Sequence, residues 1–539
     1  MEIRVMGLPL LLTTALFCSG LFAAPVDETM AKRAIGAWRA RGGALGLKMG
    51  HVVGDVRRVE KDGAAFHVVR FEGGGMAISP TDTTIRPVIM FSEEDDFDEN
   101  PGNPAWDLLV PELAARARQI ASRKMKAAAP AAVQKSDCET EWEELLSDLK
   151  YDKVGDDAMD DIRVPSFVKT RWNQGSAGGG YCYNYYTPEH HVCGCVATAM
   201  AQAMRYFEYP ASTTEVPRFT NRSCSYLGTQ TEYTTQGGFY DWSLMPYVPS
   251  SGMSEDERQA IGKLTSDLGI MLGSDYGSSG TGAVSPAVQY VFTKCLGYAN
   301  AISIEYDVGA WWGIDDEYTQ MMMSNFDAKL PVVISLNGHE ILGDGYGYRN
   351  GSLYYHLNFG WSGAAWYKPA KMEEGMEGYH VFYGAIFNIY TTRAGNPEIA
   401  SGRVTDADGR PVKGLTVKAA RASSPDEVVA TAVTDDNGIY AAFVPPNDCY
   451  RISAEILYED GKGHYFGTCD AKVGKSVSRE VFVDTGLRTI GGVSTEFLLP
   501  HSLWHGSPAC SIGNVAQCDI QLRGENFDPE ATVSVSGPV

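Results

Sequence analysis

The 539-residue sequence lacks a long apolar segment after residue 23 and lacks an excess of basic residues. No later segment approaches the roughly 20 apolar residues that a membrane helix needs, so we expect no membrane partner. Lys and Arg total 45 against 67 Asp and Glu, which gives a formal net charge of −22. This balance disfavours electrostatic binding to nucleic acid, so we expect no nucleic-acid partner.

Cysteine pairs typical of zinc sites are also missing from the sequence. No two cysteines are spaced as C-x-x-C, the arrangement typical of structural zinc sites. Zinc is the competing explanation for the close pair Cys193 and Cys195. Because no C-x-x-C pair accompanies these two residues, we expect no metal site.

The first 23 residues carry the features of a secretory signal peptide. Arg4 precedes an apolar run over residues 6–17, and small residues follow over 20–24. Cys18 raises the alternative of a lipid anchor, which Phe17 disfavours because a small residue is needed there. We therefore expect a secreted protein, and in an oxidising compartment most cysteines pair. A cysteine left free there needs a reason.

Shifts in composition divide the rest of the chain. We expect an α+β fold in which strand-like and helical segments precede a large, aromatic- and glycine-rich domain and a β-sandwich with turn signals such as DDNG. Turn formation explains the aspartates of these signals, with calcium binding as the alternative. Residues 491–539 predict the opening strands of a further β module, at a natural terminus or cut short. The expected parts are 1–23, 24–163 (an α+β unit and an exposed linker), 164–392 (a catalytic domain), 396–490 (the β-sandwich) and 491–539.

The stretch CGCVATAMAQAMRYFEYP predicts a nucleophilic cysteine at the start of a helix. Strong helix formers follow Cys195, and Gly194 allows a sharp turn into the helix. The partial positive charge at a helix N-terminus favours the thiolate, as does a nearby imidazolium. The alternative is that Cys195 is a buried structural thiol.

A catalytic cysteine requires a histidine, and His339 is the best candidate among ten. It follows a buried-strand pattern, LPVVISLNG, and lies 144 positions after Cys195, within the roughly 130–150 expected for one class of cysteine hydrolase. Further on, Asn358 is expected to accept a hydrogen bond from the His339 ring, and Trp361 to shield that bond from water.

Gln174 completes the candidate site. Its side-chain N–H and the backbone N–H of Cys195 are expected to form an oxyanion hole. The predicted reaction is attack of the Cys195 thiolate on a peptide carbonyl, proton donation by His339 and hydrolysis of a thioester. Protein or peptide substrates are therefore expected, and no cofactor is needed.

These residues lie in segments that resemble the streptopain family of papain-fold cysteine peptidases. CGCVATAMAQAMRYFEYP is similar to the family's GCVATAxAQxMxYxxYP, and YHLNFGWSG is similar to HxNWGWxG. The resemblance implies a two-lobed papain-like domain made as a zymogen, with residues 24–163 as an inhibitory propeptide and linker that acts as an intramolecular partner. The C-terminal sandwich resembles the prealbumin-like regulatory domains of secreted hydrolases.

The sequence departs from the family pattern at three positions. Glu340 stands beside the histidine where many relatives have alanine, and Phe359 replaces a tryptophan. Cys193 is assigned to a disulfide with Cys182, and the alternative is the reverse, with Cys193 free and Cys195 bonded. The rival functions are a catalytically inactive papain-fold adhesin or binding protein and a transglutaminase-type acyl transferase.

Overall fold

The computed structural model describes most of the chain between residues 24 and 454 and four strand segments beyond it. The predicted signal peptide, residues 1–23, lies outside the described residues. The described residues are 24–41, 49–93, 103–126, 137–147, 161–223, 231–278, 280–305, 316–336, 338–349, 352–361, 363–369, 382–393, 395, 397–405, 411–446, 448–454, 464–471, 477–482, 494–496 and 523–525.

An N-terminal unit of helices and antiparallel strands comes first. Asn103 caps its long second helix by accepting a hydrogen bond from the N–H of Ala105 at 3.0 Å. The elements are α1 (Glu28–Arg41), β1 (Val52–Lys61), β2 (Ala64–Glu72), β3 (Met76–Pro80), β4 (Met90–Ser92), α2 (Ala105–Lys126) and α3 (Asp137–Leu146).

A helical lobe follows, built around two helices that pack against each other. A 3₁₀ turn precedes the first helix of this lobe, and the lobe also contains several short β-hairpins. The elements from β5 onward are β5 (Asp161–Val164), β6 (Ser176–Ala177), β7 (Gly180–Tyr181), α4 (Cys195–Phe207), β8 (Thr220–Arg222), β9 (Glu232–Thr234), α5 (Glu255–Met271), β10 (Asp275–Gly277), β11 (Gly280–Gly282) and α6 (Ala287–Tyr290).

The sheet lobe completes the central part of the chain with one helix and six strands. Its strands are almost fully buried, as expected for a sheet covered on both faces. The elements of the sheet lobe are β12 (Asn300–Glu305), α7 (Asp316–Asp327), β13 (Val332–Ser335), β14 (Glu340–Arg349), β15 (Ser352–Asn358), β16 (Ala364–Tyr367) and β17 (Gly384–Tyr390).

The N-terminal unit and the sheet lobe share one eleven-stranded sheet. Its order is β1-β2-β3-β4-β16-β15-β14-β13-β17-β12, and β5 pairs with β14. The joint lies between β4 and β16, where Phe91 is opposite Trp366 and Met90 is opposite Tyr367. One hydrophobic core contains side chains from both sides of this joint. The two units are therefore packed as one body in this state.

Helix α4 forms the centre of the helical lobe. Every residue from Val196 to Arg205 is buried, so the helix is surrounded by protein on all sides. Gly194 precedes it with a φ of 91°, and a Cβ there would lie 2.9 Å from the carbonyl oxygen of Thr281. Both the backbone conformation and the close approach require glycine at this position.

Two sheets form a C-terminal β module. The first has the order β21-β18-β24 and the second β20-β19-β22-β23, and both contribute side chains to one core. The α+β class and the C-terminal β-sandwich predicted from the sequence are confirmed. The strands are β18 (Glu398–Thr405), β19 (Thr416–Arg421), β20 (Ser424–Val433), β21 (Ile439–Val444), β22 (Asp448–Ala454), β23 (His464–Ala471) and β24 (Val477–Phe482), followed by the pair β25 (Ser494–Glu496) and β26 (Arg523–Glu525).

The β module docks on the sheet lobe through buried polar contacts. Arg403 of β18 forms an ion pair with Asp161 of β5 at 2.6 Å. Ser401 donates to the carboxylate of Asp327 at 2.6 Å, and the other oxygen of Asp327 accepts from Tyr346 at 2.8 Å. These contacts link the module to β5, α7 and β14.

The domain boundaries stay predictions, although strand β5 crosses the one drawn at 163/164. Among the described residues, none of the helices combines the length and the apolar character needed to cross a bilayer.

We predict that Arg403→Met weakens the attachment of the β module. The substitution leaves the carboxylate of Asp161 with one cationic partner fewer in a site where both side chains are mostly shielded from water. The free energy of unfolding should fall by about 1–3 kcal/mol. Urea unfolding of the full chain measures this change.

Lys413→Met is the matched control, because it removes a surface ion pair with Asp436 within the same module. Exposed pairs contribute little, so no measurable change is expected. Equal losses in the two variants would contradict the docking role of Arg403.

Candidate active site

The fold places Cys195 at the first position of α4. Its side chain is partly accessible, in contrast to the fully buried Cys193 two residues earlier. The N-terminal turn of a helix presents unpaired backbone N–H groups, which favour a negative charge at this end. The position therefore suits a thiolate and a neighbouring oxyanion.

His339 occupies the last position of the tight turn between β13 and β14. The N–H of Leu336 donates to the carbonyl oxygen of His339 at 2.7 Å, and Gly338 has a φ of 87°. The cross-strand pair Ser335 and Glu340 is the last pair of β13 and β14 before this turn. The hairpin thus projects the imidazole from the edge of the sheet lobe.

His339 interacts with two acidic partners. Its Nε2 atom lies 2.9 Å from Oδ2 of Asp107, a residue of α2 in the N-terminal unit. Burial lowers the pKa of His339, but its interactions with Asp107 and the Cys195 thiol outweigh this effect and raise the pKa to about 10. The imidazole is therefore protonated at neutral pH.

His339 and Cys195 interact, but Nδ1 of His339 forms no hydrogen bond of regular geometry. This buried atom has no such bond among the described residues. Hydrogen bonds between catalytic groups are often long in resting enzymes and shorten when substrate is bound. The thiol and the imidazole, far apart in sequence, are nonetheless neighbours.

Gln174 is held next to Cys193, and the N–H group of its side-chain amide has no partner in the described part of the chain. Its carbonyl oxygen accepts a hydrogen bond from the N–H of Cys193 at 3.0 Å. The side chain is 5% exposed, and Nε2 is buried without a hydrogen-bond partner in the described part of the chain. A buried donor without a partner costs free energy, which is expected of a group that awaits a ligand.

Asn358 lies at the end of β15 and is fully buried. Its Oδ1 atom accepts from the N–H of Gly360 at 3.1 Å and from Nε2 of Gln202 at 3.2 Å, and its Nδ2 atom donates to the carbonyl oxygen of Thr170 at 2.7 Å. In this state Asn358 therefore joins α4 to the sheet lobe and Asp107 holds Nε2 of His339. The orienting role of Asn358 stays a prediction.

Trp361 is half-buried in the turn that follows β15. In that turn the N–H of Phe359 donates to the carbonyl oxygen of Gly363 at 3.0 Å. The predicted shielding of the catalytic pair by Trp361 also stays a prediction.

The predicted disulfide between Cys182 and Cys193 is wrong, because both are free thiols. The reverse pairing is also wrong, since Cys195 is free. The thiol of Cys193 is within 3.2 Å of the Thr198 hydroxyl. Burial raises the pKa of both Cys182 and Cys193 to about 12, so they remain neutral and unreactive.

Sequence reasoning missed Asp107. Nothing in the local pattern of α2 marks this residue, because its partner, His339, lies in a distant turn of another unit. The only signal would have been an acidic residue in the first turn of a helix in the N-terminal unit.

A buried His–Asp pair was also missed. His356 and Asp344, cross-strand neighbours on β15 and β14, share a hydrogen bond of 2.5 Å between Nδ1 and Oδ1. The other oxygen of Asp344 accepts from the N–H groups of Phe167 and Val168. This pair anchors the segment that leads to Gln174.

No group of three or more His, Cys, Asp or Glu side chains in the described ranges is arranged to hold a metal ion. The expectation of no metal and no cofactor stays a prediction.

Comparison with known families identifies two parts of the chain. Residues 172–367 match the Peptidase C10 family, and residues 400–459 match the carboxypeptidase regulatory-like domain. The resemblance to the streptopain family and to a prealbumin-like regulatory domain, predicted from the sequence, is confirmed.

Curated relatives match only part of the chain. Streptopain from Streptococcus pyogenes is 29% identical over 191 residues, 33% of this chain and 45% of that protein. The thiol protease/hemagglutinin PrtT from Porphyromonas gingivalis is 28% identical over 203 residues, 36% of this chain and 22% of that protein. The chain thus spans less than half the length of these relatives.

Two solved structures from Prevotella intermedia are also similar. A prointerpain A fragment covers 63% of this chain and 99% of its own length at 20% identity and a TM-score of 0.45. Active interpain A, a cysteine protease, covers 42% of this chain and 95% of its own length at 24% identity and a TM-score of 0.35.

We predict that Asp107→Asn removes a pH-dependent contribution to stability. A histidine whose pKa is raised from 6.5 to about 10 stabilises the fold fully below pH 6.5, and this contribution is lost as the pH rises through 10. The wild-type protein should therefore lose more stability between pH 7 and pH 10 than Asp107→Asn. Urea unfolding at both pH values measures the difference, with Cys195 retained in all proteins and gel electrophoresis to verify that each chain stays intact.

Asp55→Asn is the control, because it removes an exposed carboxylate that pairs with Arg70 in the same unit. It should keep the wild-type pH dependence. An Asp107→Asn protein with the same pH dependence as Asp55→Asn would contradict the assignment.

Proposed function

We propose that this chain is the zymogen of a secreted cysteine endopeptidase. Residues 164–392 would form the peptidase domain, and residues 24–163 the inhibitory propeptide with its processing linker. The observation that carries this proposal is the interaction of the Cys195 thiol with the His339 imidazole between two lobes. The Peptidase C10 match over residues 172–367 supports it.

The proposed reaction uses the groups that surround Cys195. The thiolate attacks the carbonyl carbon of a peptide bond, and the oxyanion accepts hydrogen bonds from the Cys195 N–H and from Nε2 of Gln174. His339 then protonates the leaving amine, which leaves a thioester on Cys195. Water, deprotonated by His339, then attacks the thioester. This step releases the acyl part of the substrate as a carboxylic acid and restores the Cys195 thiolate beside a protonated His339. These steps need no cofactor.

The contact of α2 with the site supports inhibition by the N-terminal unit. Asp107 holds the Nε2 atom of His339 and is itself part of the unit that must leave. A His339 with a pKa of about 10 is a poor proton donor and base near neutral pH, where a pKa closer to the working pH is best. Departure of Asp107 would lower that pKa and would free Nε2 for Asn358.

Replacing Cys195 and Cys193 in turn tests the assignment of the nucleophile. With the linker cut and the N-terminal unit then digested by an added protease in every protein, Cys195→Ala should lower the rate of casein hydrolysis by at least about 10³-fold. Cys193→Ala should keep most of the activity, because Cys193 is buried and is kept neutral. Without added protease, a product that begins near Val164 should form in the wild type and be absent in Cys195→Ala.

Other results would favour the rival functions. An intact, processed protein whose Cys195 resists an irreversible epoxide inhibitor would indicate an inactive adhesin. Products that incorporate an added amine in preference to water would indicate an acyl transferase. Loss of casein hydrolysis in Cys193→Ala but not in Cys195→Ala would refute the choice of nucleophile.

Gln174→Ala tests the oxyanion hole. Loss of one donor should lower kcat by about 10²–10³-fold while KM changes little, because the donor acts mainly in the transition state. Steady-state kinetics with a peptide substrate measure both constants. Gln259→Ala is the control, since this amide lies on α5 of the same lobe and donates to Tyr185. Equal kcat values for the two variants would exclude Gln174 from the reaction.

A further inference from the structure

Glu340 is a buried carboxylate directly beside His339. It is 2% exposed, and the proposed chemistry does not use it. One oxygen accepts a hydrogen bond from the Ser335 hydroxyl at 3.0 Å, and the other accepts from the Ser285 hydroxyl at 2.7 Å. A buried carboxylate is costly unless it is bound by donors, so these bonds fix its position.

The two serines come from different lobes. Ser335 is the last residue of β13 and faces Glu340 across the hairpin that carries His339. Ser285 lies in the helical lobe, in the turn between β11 and α6, where the N–H of Val288 donates to its carbonyl oxygen at 3.0 Å. Glu340 therefore bridges the His339 hairpin and the helical lobe.

The segment that carries Ser285 also borders the loop that leads to Cys195. Thr281, at the centre of β11, donates its hydroxyl hydrogen bond to the carbonyl oxygen of Val192 at 2.5 Å. Its own carbonyl oxygen approaches Gly194 so closely that a Cβ there would be 2.9 Å away. A short path of contacts thus connects Glu340 to both members of the candidate pair.

We propose that Glu340 is a positioning residue that sets the placement of His339 relative to Cys195 by joining the two lobes at the active site. The proposal rests on the proposed function. Glu340 acts through the hairpin and does not contact the reacting atoms. A displacement of about 1 Å between reacting groups is enough to cost about 10²-fold in rate, so a single bond between the lobes matters.

The test compares Ser285→Ala, Glu340→Ala, Glu340→Gln and the double variant Ser285→Ala/Glu340→Ala. Each protein is made as the full chain and is then processed with the same added protease. Ser285→Ala should lower kcat about tenfold, the worth of a hydrogen bond to a charged group, with KM within about twofold. Glu340→Ala should lower kcat at least as much, and Glu340→Gln should recover part of the loss, because its amide oxygen still accepts one hydrogen bond. The double variant should be no slower than Glu340→Ala.

A second measurement follows the pair without peptide hydrolysis. The rate of Cys195 alkylation by iodoacetamide as a function of pH reports the thiolate–imidazolium pair directly. Ser285→Ala and Glu340→Ala should shift this pH profile relative to wild type. Since Ser285→Ala removes one hydroxyl from a partly exposed turn, it is expected to fold even where Glu340→Ala does not.

Ser254→Ala is the matched control. Ser254 and Glu257 form another Ser–Glu hydrogen bond in the same lobe, at 3.1 Å, where they cap α5. Loss of this hydrogen bond in Ser254→Ala should lower the free energy of unfolding without a change in kcat or in the alkylation profile. If Ser285→Ala resembles Ser254→Ala, or if the effects of Ser285→Ala and Glu340→Ala multiply independently, the positioning role is refuted. A wild-type protein that alkylates normally but does not hydrolyse casein would refute the proposed function instead.

Discussion

The imidazole of His339 lies between two acidic groups, the Cys195 thiol and the Asp107 carboxylate. The state of the site depends on which of the two groups the imidazole binds more strongly. The Cys195 thiol approaches it from the helical lobe, and Asp107 approaches it from the N-terminal unit. Both interactions favour the protonated ring. Asp107 holds Nε2 of His339, while Nδ1 makes no regular hydrogen bond among the described residues. In the proposed zymogen, the carboxylate of Asp107 would hold these groups in a resting state.

The surrounding fold makes this competition possible. Helix α4 is packed on all sides, so Cys195 has a fixed position. Glu340 holds the His339 hairpin through two hydrogen bonds, one from Ser335 within the sheet lobe and one from Ser285 of the helical lobe. Gln174 is attached to the backbone of Cys193 while its amide remains unpaired. The polar groups that would meet a substrate are thus fixed before one arrives.

Local patterns in the sequence were sufficient to choose Cys195 and His339 as candidates, and the fold brings these two together. They were also sufficient to predict the α+β class and the β-sandwich, because a helix start and a strand edge leave short-range signals. Contacts between distant segments leave none. The pairing of β4 with β16 and the contact of Asp107 with His339 could not be predicted for this reason. The disulfide assignment failed because it relied on the usual behaviour of exported cysteines, whereas Cys193 is buried beside Thr198.

The eleven-stranded sheet has a consequence for how the two units separate. Breaking one peptide bond in the linker removes none of the hydrogen bonds between β4 and β16 and none of the shared core. Scission and dissociation are therefore distinct events, and a nicked chain would remain a tight non-covalent complex. If the N-terminal unit is removed, as proposed, β16 would become an open strand edge with Trp366 and Tyr367 exposed to water. Such an edge is prone to pair with other strands.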